Sequence, residues 1–209
     1  MEIIRHDRMV LVRIVNTIYF SNSYLFHFDG SKKAWLIDCG DMEPVERYLS
    51  EKGLSLQDVF LTHVHYDHIY GLKALKEKNA GLRVYTTEEG IKNLKEPRYN
   101  LSKYHGEEIR CGNEKIQKLC DGSEMELFDG HRIVVLTTPG HDWSGLTFKV
   151  ENFLFTGDAY IPGLKTVTTF PKSNRKQAEE SVLKIKCEIT ETMLICPGHG
   201  EMVKGSECL

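Results

Sequence analysis

The stretch Val59-Phe60-Leu61-Thr62-His63-Val64-His65-Tyr66-Asp67-His68 decides how the rest of the chain is read. Its first part is a short apolar run of the kind that forms a buried strand. Its second part places four metal-competent side chains, His63, His65, Asp67 and His68, in quick succession. In an extended segment His63 and His65 project to the same side, and a turn after Tyr66 aims Asp67 and His68 at a neighbouring point. One such segment can serve two metal ions. Imidazole and carboxylate donors suit Zn, Fe, Mn or Co, and the lack of cysteine among them argues against a purely structural zinc site.

Three further apolar runs end in the same way: Ile133-Val-Val-Leu-Thr-Thr-Pro-Gly-His141, Phe153-Leu-Phe-Thr-Gly-Asp158 and Met193-Leu-Ile-Cys-Pro-Gly-His199. Each reads as a buried strand that delivers a ligand where it ends. Strands packed side by side bring their ends to a common edge, and Gly or Pro before the ligand lets the backbone turn sharply there. Isolated histidines such as His6, His27, His105 and His131 read as structural or surface groups.

Outward from these motifs, the elements fall into order. Met9 to Val15, Ser23 to Phe28 and Ala34 to Asp38 read as strands, with Asp29-Gly30-Ser31 as a turn. Asp41 is placed to cap a helix that carries Val45 and Leu49 and stops at Gly53. Ile69 to Lys78 has the spacing of one more helix. Residues 96–112 lack periodicity and read as a loop long enough to act as a lid. Ile133 to Thr138, Leu146 to Val150 and Phe153 to Thr156 follow as strands. A helix over Arg175 to Ile189 comes next, with Asn174 and Gln177 as a capping pair.

No low-complexity linker or repeat divides the chain, so residues 1–209 are read as a single domain. Apolar residues at 41% and charged ones at 27% match an ordinary folded protein. Lys and Arg number 27 against 30 Asp and Glu, which gives no footprint for a nucleic-acid backbone or an anionic membrane. No run of about 18 apolar residues occurs, and the reading is a cytoplasmic protein acting on a small molecule. The scattered Cys39, Cys111, Cys120, Cys187, Cys196 and Cys208 suggest reduced thiols, neither a disulfide scaffold nor a thiolate zinc site.

Asp38, His63-Val-His-Tyr-Asp-His68, His141, Asp158 and His199 together resemble the five ordered motifs of the metallo-β-lactamase superfamily. The resemblance runs from Leu36-Ile-Asp38-Cys-Gly40 to Cys196-Pro-Gly-His-Gly200. It implies an α/β fold, a four-layer αββα sandwich with the metals at one edge of the sheets. Carried over by position, it implies two divalent metal ions, zinc foremost, with iron or manganese also suited. His63, His65 and His141 would hold the first, Asp67, His68 and His199 the second, and Asp158 would bridge them. Asp38 would support the ligands from behind.

The same resemblance implies a hydrolase in which a hydroxide between the metals attacks an ester, thioester or lactone carbonyl, with Asp67 and Asp158 as catalytic carboxylates. An aspartate at 158 is similar to glyoxalase II rather than to true β-lactamases, and so is Asn100-Leu-Ser102. Only ten residues follow His199, whereas glyoxalase II has a helical C-terminal extension that binds glutathione. An arginine common after the fourth motif is missing from Gly157-Asp-Ala-Tyr-Ile-Pro-Gly163. Persulfide dioxygenases with a single iron resemble the same motif set and form one alternative. Phosphodiesterases and nucleases of the superfamily form another. Tyr66, Tyr99, Asn100, Tyr104, Tyr160 and Lys165 are the expected substrate contacts.

Overall fold

The computed structural model describes residues 1–79, 81–111 and 115–209. Among them, seven strands form one sheet in chain order: β1 (Glu2–His6), β2 (Met9–Val15), β3 (Asn22–Phe28), β4 (Lys33–Ile37), β5 (Ser55–Phe60), β6 (Arg83–Thr86) and β7 (Ile116–Lys118). Strands β1 to β4 pair antiparallel, whereas β4 to β7 pair parallel. Parallel neighbours need crossovers. Helix α1 (Met42–Lys52) joins β4 to β5, α2 (Tyr66–Ile69) and α3 (Leu72–Lys78) join β5 to β6, and α4 (Glu88–Asn93) lies between β6 and β7.

The second sheet holds β8 (Glu124–Phe128), β9 (His131–Thr137), β10 (Leu146–Val150), β11 (Phe153–Gly157), β12 (Leu194–Pro197) and β13 (Val203–Lys204). Its order is β13-β12-β11-β10-β9-β8. Only β11 and β12 run parallel there, and α5 (Arg175–Glu188) makes the crossover.

Side-chain alternation along the strands builds the layers. In β4, Trp35 and Ile37 face the second sheet, while Ala34 and Leu36 pack with Val45, Leu72 and Leu75 of the helices. In β11, Phe153 and Phe155 face the first sheet, while Leu154 lies under Ile185 of α5. The space between the sheets is largely aromatic: Phe26 stacks on both Trp35 and Phe155, with ring centroids 5.8 and 6.1 Å apart. The layers are therefore helix, sheet, sheet, helix. Burying a large apolar side chain contributes about 1.5–3 kcal/mol, so this aromatic slab anchors the strands whose ends carry the candidate donors.

Three local expectations are corrected. The helix expected over Ile69 to Lys78 is two pieces, because the turn at Tyr70-Gly71 runs against the end of β4. There Cys39 N–H donates to His68 O, Gly71 N–H donates to Cys39 O, and a Cβ on Gly71 would lie 2.1 Å from Gly40 O. Asp41 precedes α1 but does not cap it; its carboxylate accepts from Thr17 N–H, Thr17 Oγ1 and Tyr70 OH. At α5, Asn174 Oδ1 accepts from Gln177 N–H at 3.1 Å, while Gln177 Oε1 has no partner, so only half of the capping pair forms. The strands β1, β6, β7 and β8 and helix α4 had no clear sequence signal, β6 and β7 being only 4 and 3 residues long.

Candidate metal centre

Four strand ends meet at one edge of the sandwich. His63 and His65 follow β5, with Asp67 and His68 on the short α2; His141 follows β9, Asp158 follows β11, and His199 follows β12. Donor atoms of His63, His65 and His141 lie within 4.8 Å of one another, as do those of Asp67, His68 and His199. His65 Nδ1 is 3.1 Å from His141 Nε2. His68 Nε2 is 3.3 Å from His199 Nε2, which is 3.1 Å from Asp67 Oδ2. Asp158 stands between the sets, with Oδ1 3.7 Å from His68 Nε2 and Oδ2 3.5 Å from both His141 Nε2 and His199 Nε2.

Four of the five imidazoles are fixed through the other ring nitrogen, the usual way a protein sets the tautomer of a metal-binding histidine. His63 Nδ1 donates to Thr62 Oγ1, His68 Nδ1 to Asp38, His141 Nδ1 to Val167 O and His199 Nδ1 to Tyr19 O. His65 Nε2 faces the Asp142 carboxylate at 3.6 Å. What remains free on every ring points inward. His63 Nε2 and Asp158 Oδ1 are buried there with no hydrogen-bond partner, a condition that costs about 1–3 kcal/mol per group unless an ion or water takes the lone pair.

Electrostatics agrees with a cation site. Burial and the surrounding imidazoles hold His63 well below the ordinary histidine value, so it keeps a lone pair to give. At His68 burial opposes the charge, but Asp67, Asp158 and Asp38 outweigh it and push the ring up to about 10. Burial likewise opposes the ionised form of Asp67, yet His68 and His199 hold its carboxyl below the usual range. The carboxylates thus favour positive charge at the point where the donors converge. Donor set, orphaned atoms and field all fit divalent cations.

Asp38 works from behind. It sits at φ 57°, a left-handed conformation unusual for a residue with a Cβ, and turns its carboxylate under the ligands. Its oxygens accept from Thr62 N–H and Thr62 Oγ1, both at 2.7 Å, and from His68 Nδ1 at 2.9 Å. One buried carboxylate thereby ties β4, β5 and α2 together. Gly198 is needed for space: a Cβ there would lie 2.1 Å from Asp158 Oδ1 and 3.0 Å from His68 Cε1.

A sequence profile described as the metallo-beta-lactamase superfamily matches residues 16–199. The chain belongs to the metallo-beta-lactamase superfamily. Among curated relatives, a hydroxyacylglutathione hydrolase of Pseudoalteromonas translucida is 28% identical over 158 residues, which cover 74% of this chain and 52% of that protein. This chain therefore spans about half the length of that relative. A probable metallo-hydrolase of Streptococcus pyogenes is 27% identical over 199 residues, 91% of this chain and 85% of that one. Among solved structures, the BLEG-1 B3 metallo-beta-lactamase aligns with a TM-score of 0.83 at 22% identity, covering 94% of this chain and 95% of the other. ETHE1 from Myxococcus xanthus aligns at 0.74 and 25%, covering 94% and 80%. The αββα architecture is that of the superfamily.

Above the converging donors lies a cavity of about 750 Å³. His65, Asp67, His141, Asp158 and His199 contribute to its lining, along with Tyr66 and Tyr104. The other expected substrate contacts lie elsewhere. Asn100 is fully buried, its amide donating to Asn93, Leu94 and Ile109 carbonyls and accepting from Ser102 N–H, so it pins the loop rather than facing a substrate. Tyr99 packs on Lys172 Nζ at 4.3 Å. Tyr160 and Lys165 line a separate groove against α5; burial and Cys208 push the Tyr160 hydroxyl up to about 12. The segment expected as a lid supplies Leu101, Tyr104 and His105 to the cavity, with His105 stacked on Tyr66 at 4.3 Å; its last residue, Gly112, lies outside the described residues.

Several groups carried no sequence signal. Asp142, beside His141, reads as an ordinary polar residue, yet it is fully buried against His65 and Ser144. Asn22 and Tyr24 of β3 grip the loop that bears His199: Asn22 Nδ2 donates to Pro197 O and Gly200 O, and Tyr24 OH to Pro197 O. Arg13, only 5% exposed, donates to Gly200 O at 2.8 Å and pairs with Glu2 and Glu201.

Proposed function

We propose that the chain is a hydrolase of small esters, thioesters or lactones that works with two divalent metal ions, zinc foremost. The supporting observation is the pair of donor sets around one orphaned carboxylate, opening onto a single cavity. His63, His65 and His141 would hold one ion, Asp67, His68 and His199 the other, and Asp158, within 3.7 Å of both sets, would bridge them. Bound there, such ions supply Lewis acidity and a water that is nucleophilic near neutral pH.

The chain's own residues do the rest. The cavity walls hold the acyl group and exclude bulk water. Asp67, on the cavity floor, accepts a hydrogen bond from the attacking water at Oδ2 and orients it. The water oxygen bonds to the acyl carbon, the bond to the alcohol oxygen or thiol sulfur breaks, and the water proton leaves with that group. No Lys or Arg is among the described residues lining the cavity, which supports a small-molecule partner over a nucleic acid. Among the described residues no helix is long and apolar enough to cross a membrane.

Metal content together with Asp158→Ala tests this reading. The expected result is two metal equivalents and turnover lowered by more than about 100-fold, the upper end for losing even a supporting partner. Undiminished ester and thioester hydrolysis by Asp158→Ala would refute it. A second reading, oxidation of a persulfide by dioxygen in a protein that would hold a single iron, draws support from the first donor set being complete and buried on its own. One iron per chain and oxygen consumption with a persulfide would establish that reading instead.

A further inference from the structure

The cavity walls differ in kind from the floor. Of the twelve large apolar side chains that stay exposed among the described residues, five line this one cavity: Tyr19, Tyr104, Leu164, Val167 and Phe170. Single exposed apolar groups need no explanation, but a concentration around one concave site marks a binding surface. One wall has a simple source. The irregular stretch between β11 and α5 sends in Ile161, Leu164, Val167 and Phe170, every third residue.

That wall is fastened to the metal centre. His141 Nδ1 donates to Val167 O at 2.9 Å, Ser173 Oγ donates to His141 O, and Asn174 N–H donates to Gly140 O. Phe170 lies edge-on to His65 and His141, with centroids 5.2 and 5.6 Å away. The opposite wall, Leu101 and Tyr104, is held by the buried Asn100. Both walls are thus ordered rather than adaptable, and neither presents a Lys or Arg to a carboxylate among the described residues. Apart from the His105 imidazole, which stacks on Tyr66, the charged and metal-competent groups of the lining belong to the floor.

On the hydrolytic reading above, we infer that the substrate's acyl group is uncharged and apolar, aliphatic or aromatic, and that no anionic anchor holds it. The acyl chain leans on Phe170 and Leu164, and only the carbonyl reaches the floor. A glutathione-like leaving group, with its carboxylates, finds no Lys or Arg among the described lining residues.

Two measurements test this. The first is kcat/KM for p-nitrophenyl acetate, butyrate and octanoate against mono-p-nitrophenyl succinate. A rise of about three- to fourfold per methylene between acetate and butyrate is expected from burial of each CH2. Succinate is expected to fall at least tenfold below butyrate, and Leu164→Lys to narrow that gap with metal content unchanged. A flat chain-length profile, or succinate or a glutathione thioester preferred, overturns the inference while leaving hydrolysis intact.

The second measurement does not depend on turnover: Nile red bound to the protein should be displaced by octanamide and not by succinamate. Phe170→Ala should weaken the dye. If octanamide displaces the dye yet no ester or thioester is turned over, hydrolysis fails and the apolar site stands. If octanamide does not displace it, or if sedimentation shows a dimer that closes the rim, the apolar-substrate inference fails.

Discussion

The two donor sets of the centre differ in how far they stand from water. His63, His65 and His141 are 2%, 2% and 5% exposed, at the edge where the strands end. In the second set His68 is buried, but the side chains of Asp67 and His199 keep 14% and 25% of their surface. The supports differ as well. His63 and His65 lean on the buried Thr62 and Asp142, whereas His199 is held by one backbone carbonyl, Tyr19 O, on an exposed turn. The first set is therefore the more deeply buried and the second the more open to water, although His65 and His141 of the first set line the cavity along with Asp67 and His199.

The largest effect that could break this contrast is His63→Ala. It should remove metal and turnover by more than the roughly 100-fold that loss of a supporting group costs. His199→Ala should remove one of two metal equivalents and leave the other, as read by metal analysis after gel filtration. Equal loss of both ions would mean the sets are not separable. Next, a chelator titration of the intact protein should proceed in two phases, the ion of the second set leaving first.

Smaller changes sharpen the contrast from behind. Asp142→Asn should weaken only the first set, by about 10- to 100-fold in metal affinity. Asp38→Asn should weaken both, because it reaches His68 directly and His63 through Thr62. Competition with a metallochromic dye reads the two constants. The smallest effect belongs to Asn174→Ala, which removes the α5 cap; about 1 kcal/mol of stability should go, roughly 2–4 °C in Tm, with metal binding unchanged.

The candidate donors were legible because their segments are announced by an apolar run and a turn, signals that survive without coordinates. The order of layers came from the resemblance to the superfamily, with which the strand ends agree. What surrounds them was not legible, for physical reasons. The wall at Ile161, Leu164, Val167 and Phe170 has a period of three in a stretch that is neither helix nor strand, so neither standard periodicity detects it. Asn100 reads as a substrate contact through the likeness of Asn100-Leu-Ser102 to glyoxalase II, but its partners are backbone carbonyls that only the closed loop brings near. Tyr160 follows the bridging Asp158 by two residues, yet the chain turns there and leaves it facing α5. The break at Tyr70-Gly71 depends on the end of β4, thirty residues earlier in the chain.

The Thr62 amide, donating at 2.7 Å to the buried Asp38 carboxylate, gives the centre a built-in reporter. A charge-assisted bond of this kind holds its proton far downfield and slows its exchange with solvent. A single resonance thus tracks whether β4, β5 and α2 are correctly assembled. It does so without a substrate in hand, which makes it a way to follow the site while its chemistry is being sought.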